Sequence, residues 1–326
     1  MRFLTEDPWE RLAKIREGAP NLLLQALVRG SNGVGYTGYP DNTVRRFIHE
    51  AAKGGVDLFR VFDCLNWVEN MRVSIDAVLE SGKLCEGTIC YTGDVLAPKD
   101  GQKQNKYDLD YYLAMARELE EAGCHIIAVK DMAGLLKPSG AKVLFEALRN
   151  ETKLPIHFHT HDTSGLSAAT VLAAVDAGVD AVDAAMDALS GGTSQPCLGS
   201  IVEALSHHER APDIDIESIR AISLYWEQVR SQYAAFESDV KAPASEVYLH
   251  EMPGGQYTNL KEQARSLGLE TRWTEVAHTY AAVNEMFGDI VKVTPSSKVV
   301  GDMALMMVSQ DLTVAEVLDP DKEIAF

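Results

Sequence analysis

No apolar stretch in this sequence approaches the ~20 residues needed to span a membrane. Basic residues are outnumbered: 30 Lys and Arg stand against 48 Asp and Glu, a formal charge of −18. That balance speaks against nucleic-acid and anionic-membrane partners, which need a basic footprint. The five cysteines, Cys64, Cys85, Cys90, Cys124 and Cys197, contain no pair with zinc-site spacing. Three lie in or beside apolar runs, and all read as reduced thiols of a cytoplasmic-type compartment. The N-terminus, MRFLTEDPWERL, lacks a signal-peptide layout. Low-complexity tracts are absent too.

What is present is an alternation. Short apolar runs lie at 21–30, 56–63, 83–94, 124–134, 154–162 and 179–186. Amphipathic stretches such as NTVRRFIHEAAKGG and KYDLDYYLAMARELEEAG lie between them, several ending in Gly as helix C-caps do. The spacing suits βα units of about 30 residues or more, and such alternation predicts a parallel sheet covered by helices. About six units are legible, whereas a (β/α)8 barrel needs eight in about 250 residues. The expected fold is therefore α/β: an incomplete TIM barrel over 1–190. A mainly helical extension over 191–326 should cover the barrel mouth. That extension includes a long helix at 217–236, a Pro-Gly-Gly turn in EMPGGQYTNL, helices near 258–267 and 272–287, and the loop KVTPSSK. A polar loop is expected at 94–107.

The chemistry should gather at the carboxyl ends of the strands, where barrel sites lie. Residues i, i+2 and i+4 of a strand share a face, and His157, His159 and His161 are such a set. Neutral imidazoles there suit a divalent transition metal. His159 and His161, nearest the strand end, are the candidate ligands. His157 reads as a deeper, supporting histidine, and Asp162 as a residue that orients a ligand or caps the next helix. Arg29, Asp63, Asp94, Lys130 and Asp131 also fall near strand ends. Lys130 is the odd one, because an ammonium at the end of a buried strand is costly to desolvate and cannot ligate a metal. It must pair with a carboxylate, lower its pKa, or be chemically modified. Gly33, Gly35 and Gly38 imitate a GxGxxG fingerprint. However, Tyr39-Pro40-Asp41-Asn42 separates them from the following helix, so the loop does not lead phosphate to a helix N-terminus.

LVRGSNGVGYTGYPDN, LFRVFDCLN, YTGD, VKDMAGLLKP, HFHTHDTSG, SGGTSQP, PGGQYTNL and KVTPSSKVVGD, in that order, resemble the carboxyltransferase domain of the pyruvate carboxylases. The resemblance covers nearly the whole chain. It implies biotin-dependent carboxyl transfer to pyruvate, giving oxaloacetate. It also implies a divalent metal, zinc or manganese, on His159, His161 and a carbamylated Lys130. Arg29 would clamp the pyruvate carboxylate, and Asp63 would contribute to the floor of the site. Tyr36 would line the pocket for carboxybiotin, Ser297 and Lys298 would hold biotin, and Thr294 would carry a proton between pyruvate and biotin.

The implied partners are pyruvate and oxaloacetate, a biotin carrier domain outside this chain, and further copies in a dimer or tetramer. The family's DTTFRDAHQS-like segment, with an aspartate ligand to the metal, is not found here. The chain alone is therefore expected to be poorly active. Related barrels, the oxaloacetate decarboxylase α subunit and an acyl-CoA lyase, are the alternative readings, beside a fragment without catalysis.

Overall fold

A computed structural model describes residues 5–97 and 106–324 of the protein. Most of the polar loop expected at 94–107 lies outside these residues. Each of the six apolar runs contains one strand: β1 (Gln25–Arg29), β2 (Leu58–Phe62), β3 (Leu84–Cys90), β4 (Ile126–Asp131), β5 (Ile156–Thr160) and β6 (Ala181–Val182). Among the described residues they form one parallel sheet in the order β1-β2-β3-β4-β5-β6.

The helices that follow the first five strands are α2 (Asp41–Gly54), α3 (Val68–Glu80), α4 (Leu109–Glu121), α5 (Pro138–Glu151) and α6 (Ser167–Asp176), with α1 (Pro8–Gly18) before β1. Local chemistry sets several ends. The Asp7 side chain accepts from the Trp9 amide, with Pro8 in the first turn of α1. Asp108 caps α4 in the same way, through the Tyr111 amide. Helix α2 stops at Gly55, whose φ of 119° few other residues adopt.

Alternation along the strands decides what faces where. Phe158 of β5 is fully buried and meets Phe145 of α5 edge-on, ring centroids 5.0 Å apart. His157 and His159 must then point to the opposite, interior face. The same alternation in β2 and β3 sends Arg60 and Glu86 inward.

The sheet is strongly curled. Arg60 Nη1 of β2 lies 2.5 Å from Asp183 Oδ2, just after β6. In a flat sheet, strands four places apart would be separated by about 19 Å. The curl, the parallel order and the outer helices make this a partial TIM barrel.

The C-terminal part is helical: α7 (Leu198–Ala204), α8 (Ile216–Arg230), α9 (Val247–His250), α10 (Gly254–Ser266), α11 (Trp273–Met286), α12 (Ser296–Ser309) and α13 (Val314–Val317). Residues of α10, α11 and α12, including Leu260, Tyr280 and Val300, build a second core. Val247, Val291 and Val293 instead join the core of the barrel. The helix expected at 217–236 ends at Arg230 and continues as a 3-10 turn over Ser231–Phe236. Helix α10 starts at Gly254, inside the expected Pro-Gly-Gly turn. No helix among the described residues is long and apolar enough to cross a membrane.

Candidate active site at the carboxyl ends of the strands

Register alone brings two predicted residues, Lys130 and His159, to one level beside Cys90. Cys90 pairs with Lys130, and Lys130 with His159. His161 follows two residues later. His159 Nε2 and His161 Nε2 lie 3.1 Å apart. Neither nitrogen carries a proton to share. His161 Nδ1 donates to the Thr193 carbonyl at 2.7 Å, which fixes its proton there. His159 Nδ1 lies 2.6 Å from Asp183 Oδ2, a carboxylate that only accepts. Two imidazole lone pairs therefore converge. Two bonds of about 2.0–2.1 Å to one cation would span such a separation, so the donor set fits a divalent metal.

Burial keeps both imidazoles neutral. It pushes His159 down to about 4 against the opposing pull of Asp183. It pushes His161 down to about 3, with His159 and Lys130 acting in the same direction. Burial also brings the Lys130 ammonium down to about 8, with Arg60 and Arg29 adding to the effect and Cys90 opposing it. Lys130 Nζ lies 5.5 Å from the centroid of the Phe62 ring. Among the described residues no group of three or more His, Cys, Asp and Glu converges as a metal site; Lys130 stands beside His159 in the register.

Below the two imidazoles lies a network of which the sequence suggested only His157. Buried His157 meets Glu86 Oε2 through Nδ1 at 2.7 Å and Asp183 Oδ1 through Nε2 at 2.8 Å. Arg60 is paired with both carboxylates. Burial alone would lower His157, but hydrogen bonds and charge from Asp183 and Glu86 lift it to about 9. Burial would likewise raise Asp183, yet His157, His159 and Arg60 hold it well below the usual range. Charges embedded in FRVF, LCEGTIC and VDAVDAAM were the available signal.

The other predicted residues divide. Arg29 ends β1, with its guanidinium 5.8 Å from the Tyr36 ring centroid. Its Nε is buried without a partner. Tyr36 is exposed. Asp63 is fully committed: Oδ2 accepts from the Leu65 and Trp67 amides, and Oδ1 from Asn70 Nδ2. Asp131 accepts from the amides of Leu135 and Leu136 and from the Thr160 hydroxyl. Asp94 pairs with Lys137. Asp162 accepts from the amide and hydroxyl of Ser167, the first residue of α6. These carboxylates shape loops.

Two C-terminal loops come down onto the strand ends. The Gly254 amide donates to the Met132 carbonyl at 2.8 Å. The Ser296 hydroxyl lies 3.3 Å from the Cys64 carbonyl, just past β2. Between them Glu251 pairs with buried Lys292 at 2.8 Å. Thr294, joined to Pro295 by a cis peptide bond, therefore sits on the segment that covers β2. Ser297 is fully buried and its hydroxyl has no partner. Lys298 instead pairs with Asp302 on its own helix.

Known proteins resemble the chain along its whole length. Residues 68–225 match a family model described as HMGL-like, and residues 247–326 match a conserved carboxylase domain. Pyruvate carboxylase of Bacillus subtilis (strain 168) is 51% identical over 325 residues, covering 100% of this chain and 28% of that protein. The carboxyl transferase domain of Rhizobium etli pyruvate carboxylase, solved with pyruvate and biocytin, is 77% identical with a TM-score of 0.97. That match covers 99% of this chain and 54% of that one. The complete multifunctional enzyme from the same organism superposes equally well, at 77% identity and a TM-score of 0.97, over 100% of this chain and 32% of its own. The chain thus spans about a quarter of the curated relative and about half of the solved domain.

Proposed function

The chain belongs to the pyruvate carboxylase family as part of its carboxyltransferase domain, and from that premise we propose that it carries carboxyl transfer from carboxybiotin to pyruvate, giving oxaloacetate. The observations that support this most directly are the two converging imidazoles after β5 and, at the end of β1, an arginine whose Nε is buried and unpartnered. Arg29 holds the pyruvate carboxylate, a task suited to a planar, permanently charged fork. His159, His161 and a carbamylated Lys130 would hold zinc or manganese; when bound, the metal supplies positive charge beside the developing enolate.

Thr294 relays the proton lost by the pyruvate methyl group to the biotin nitrogen from which the carboxyl group departs. The enolate carbon then bonds to the released CO2. Ser297 and Lys298 help to hold biotin, with the exposed Tyr36 ring lining the approach. Asp63 acts from the floor of the site by fixing the turn after β2. The biotin itself arrives on a carrier domain outside this chain, and the assembly is a homo-oligomer.

The HMGL-like match over the barrel favours one second reading, an acyl-CoA lyase without biotin. Thr294→Ala separates the two. In the full-length protein it should abolish biotin-dependent oxaloacetate formation while metal content stays at the wild-type level. Undiminished transfer would overturn the proposal.

A further inference from the structure

Beneath His159 lie three buried groups, Arg60, Glu86 and His157, and the half-buried Asp183. Arg60, Glu86, His157 and Asp183 come from β2, β3, β5 and the end of β6, and their formal charges cancel when His157 is protonated. Asp183 is their outlet. Its Oδ1 meets His157 Nε2 at 2.8 Å, and its Oδ2 meets both Arg60 Nη1 at 2.5 Å and His159 Nδ1 at 2.6 Å. A guanidinium only donates. Oδ2 therefore carries no proton, and any second group that meets it must donate.

We propose that Asp183, clamped by Arg60 and His157, is a positioning residue that keeps the proton of His159 on Nδ1 and so presents Nε2 as a lone pair to the metal. This rests on the reading of His159 and His161 as metal ligands. The clamp matters because an unheld carboxylate could rotate or recruit water. Here both oxygens are fixed from strands on opposite sides of the barrel interior. His161 has no such device; its tautomer is set by one carbonyl of the Gly191–Ser194 loop. The two ligands thus differ in rigidity, with His159 built into the barrel and His161 tied to a loop.

Asp183→Asn tests the idea, because an amide can turn its NH2 toward His159 Nδ1 and drive the proton to Nε2. Metal affinity of the full-length protein, read by chelator competition, should fall about 10- to 100-fold. The visible spectrum of the cobalt-substituted form should change as well. Glu86→Gln disturbs the same buried network without touching His159. It should lower the melting temperature while leaving metal affinity within about threefold of wild type. Asp183→Glu, which keeps a carboxylate, should recover part of the affinity. Equal loss in Glu86→Gln and Asp183→Asn would overturn the proposal, since the network would then be structural only.

Should Asp183→Asn fail to fold, the wild type decides. Solid-state 15N spectra of metal-free, histidine-labelled protein, assigned by difference against His159→Gln, read the tautomer directly. An Nε2–H form of His159 would sink the inference. A wild type that binds no stoichiometric metal would sink the metal reading instead, and the tautomer would still be measured.

Discussion

Gly254 sits where a methyl group cannot. A Cβ built there would fall 2.8 Å from the Thr193 carbonyl oxygen and 2.9 Å from His161 Nδ1, the two atoms of the bond that orients His161. Gly254→Ala should therefore weaken metal binding by about 10-fold or more while the barrel stays folded. At Gly255, one residue on, nothing lies within 4 Å. Gly255→Ala should leave metal binding unchanged and stabilise α10 by up to ~1 kcal/mol. Chelator competition and thermal melts on both variants check the contrast; equal metal affinity would argue against it. Arg29→Lys belongs to the same scale. Losing the planar fork should cost about 1.5–3 kcal/mol of pyruvate binding, roughly 10- to 100-fold in KM. An unchanged KM would separate Arg29 from the substrate carboxylate.

His159, His161, Lys130 and Arg29 were legible in the sequence because each is a polar residue at the end of an apolar run. Arg60, Glu86 and Asp183 were not. Their partners lie 24 to 123 residues away, and a charge inside a strand does not announce which other charge will neutralise it.

At the scale of elements, apolar runs located all six strands of the described residues: β2 to β5 are buried on both faces, whereas β1 and β6 are more exposed. It was weaker wherever an end depends on distant contacts. Helix α10 begins at Gly254 because that residue must approach His161, a requirement invisible in the local pattern. Helix α8 gives way to a 3-10 turn at Arg230, whose guanidinium turns to the Ala188 carbonyl and to Glu237. The turn after β4 carries a clearer constraint: Gly134 has φ of 71°, and a Cβ there would lie 2.4 Å from the His161 carbonyl oxygen. Gly134→Ala should destabilise the fold by more than ~1 kcal/mol, seen as a lowered melting temperature. Wild-type stability would show that the turn can relax.

Helix α13 makes a pH-dependent prediction. Hydrogen bonds from Lys322 and Thr313 hold the Glu316 carboxyl down at about 2, against an ordinary 4.5. Its folded-state value is depressed, so its contribution is present above pH 4.5 and lost as pH falls toward 2. Amide protection in α13 should drop across that window, and Glu316→Gln should remove the dependence.

At the scale of the whole molecule, the curl of the sheet and its two ends set a further expectation. Arg60 and Asp183 pull β2 and β6 toward each other across the interior, yet among the described residues β1 pairs only with β2, and β6 only with β5. Exposed Leu22 and Leu23 lie just before β1, separated from it by Leu24. An open strand edge beside apolar side chains is a template for pairing with another chain. The charge of −18 opposes that association, but such repulsion is screened, with a Debye length of about 10 Å at 0.1 M salt. The 326-residue chain taken alone should therefore associate more strongly as salt rises, the opposite of an assembly held by complementary charges. Sedimentation velocity at low and high ionic strength tests this. Growth of larger species with salt is expected, and a monodisperse monomer under both conditions would show that the edges are protected by the curl itself.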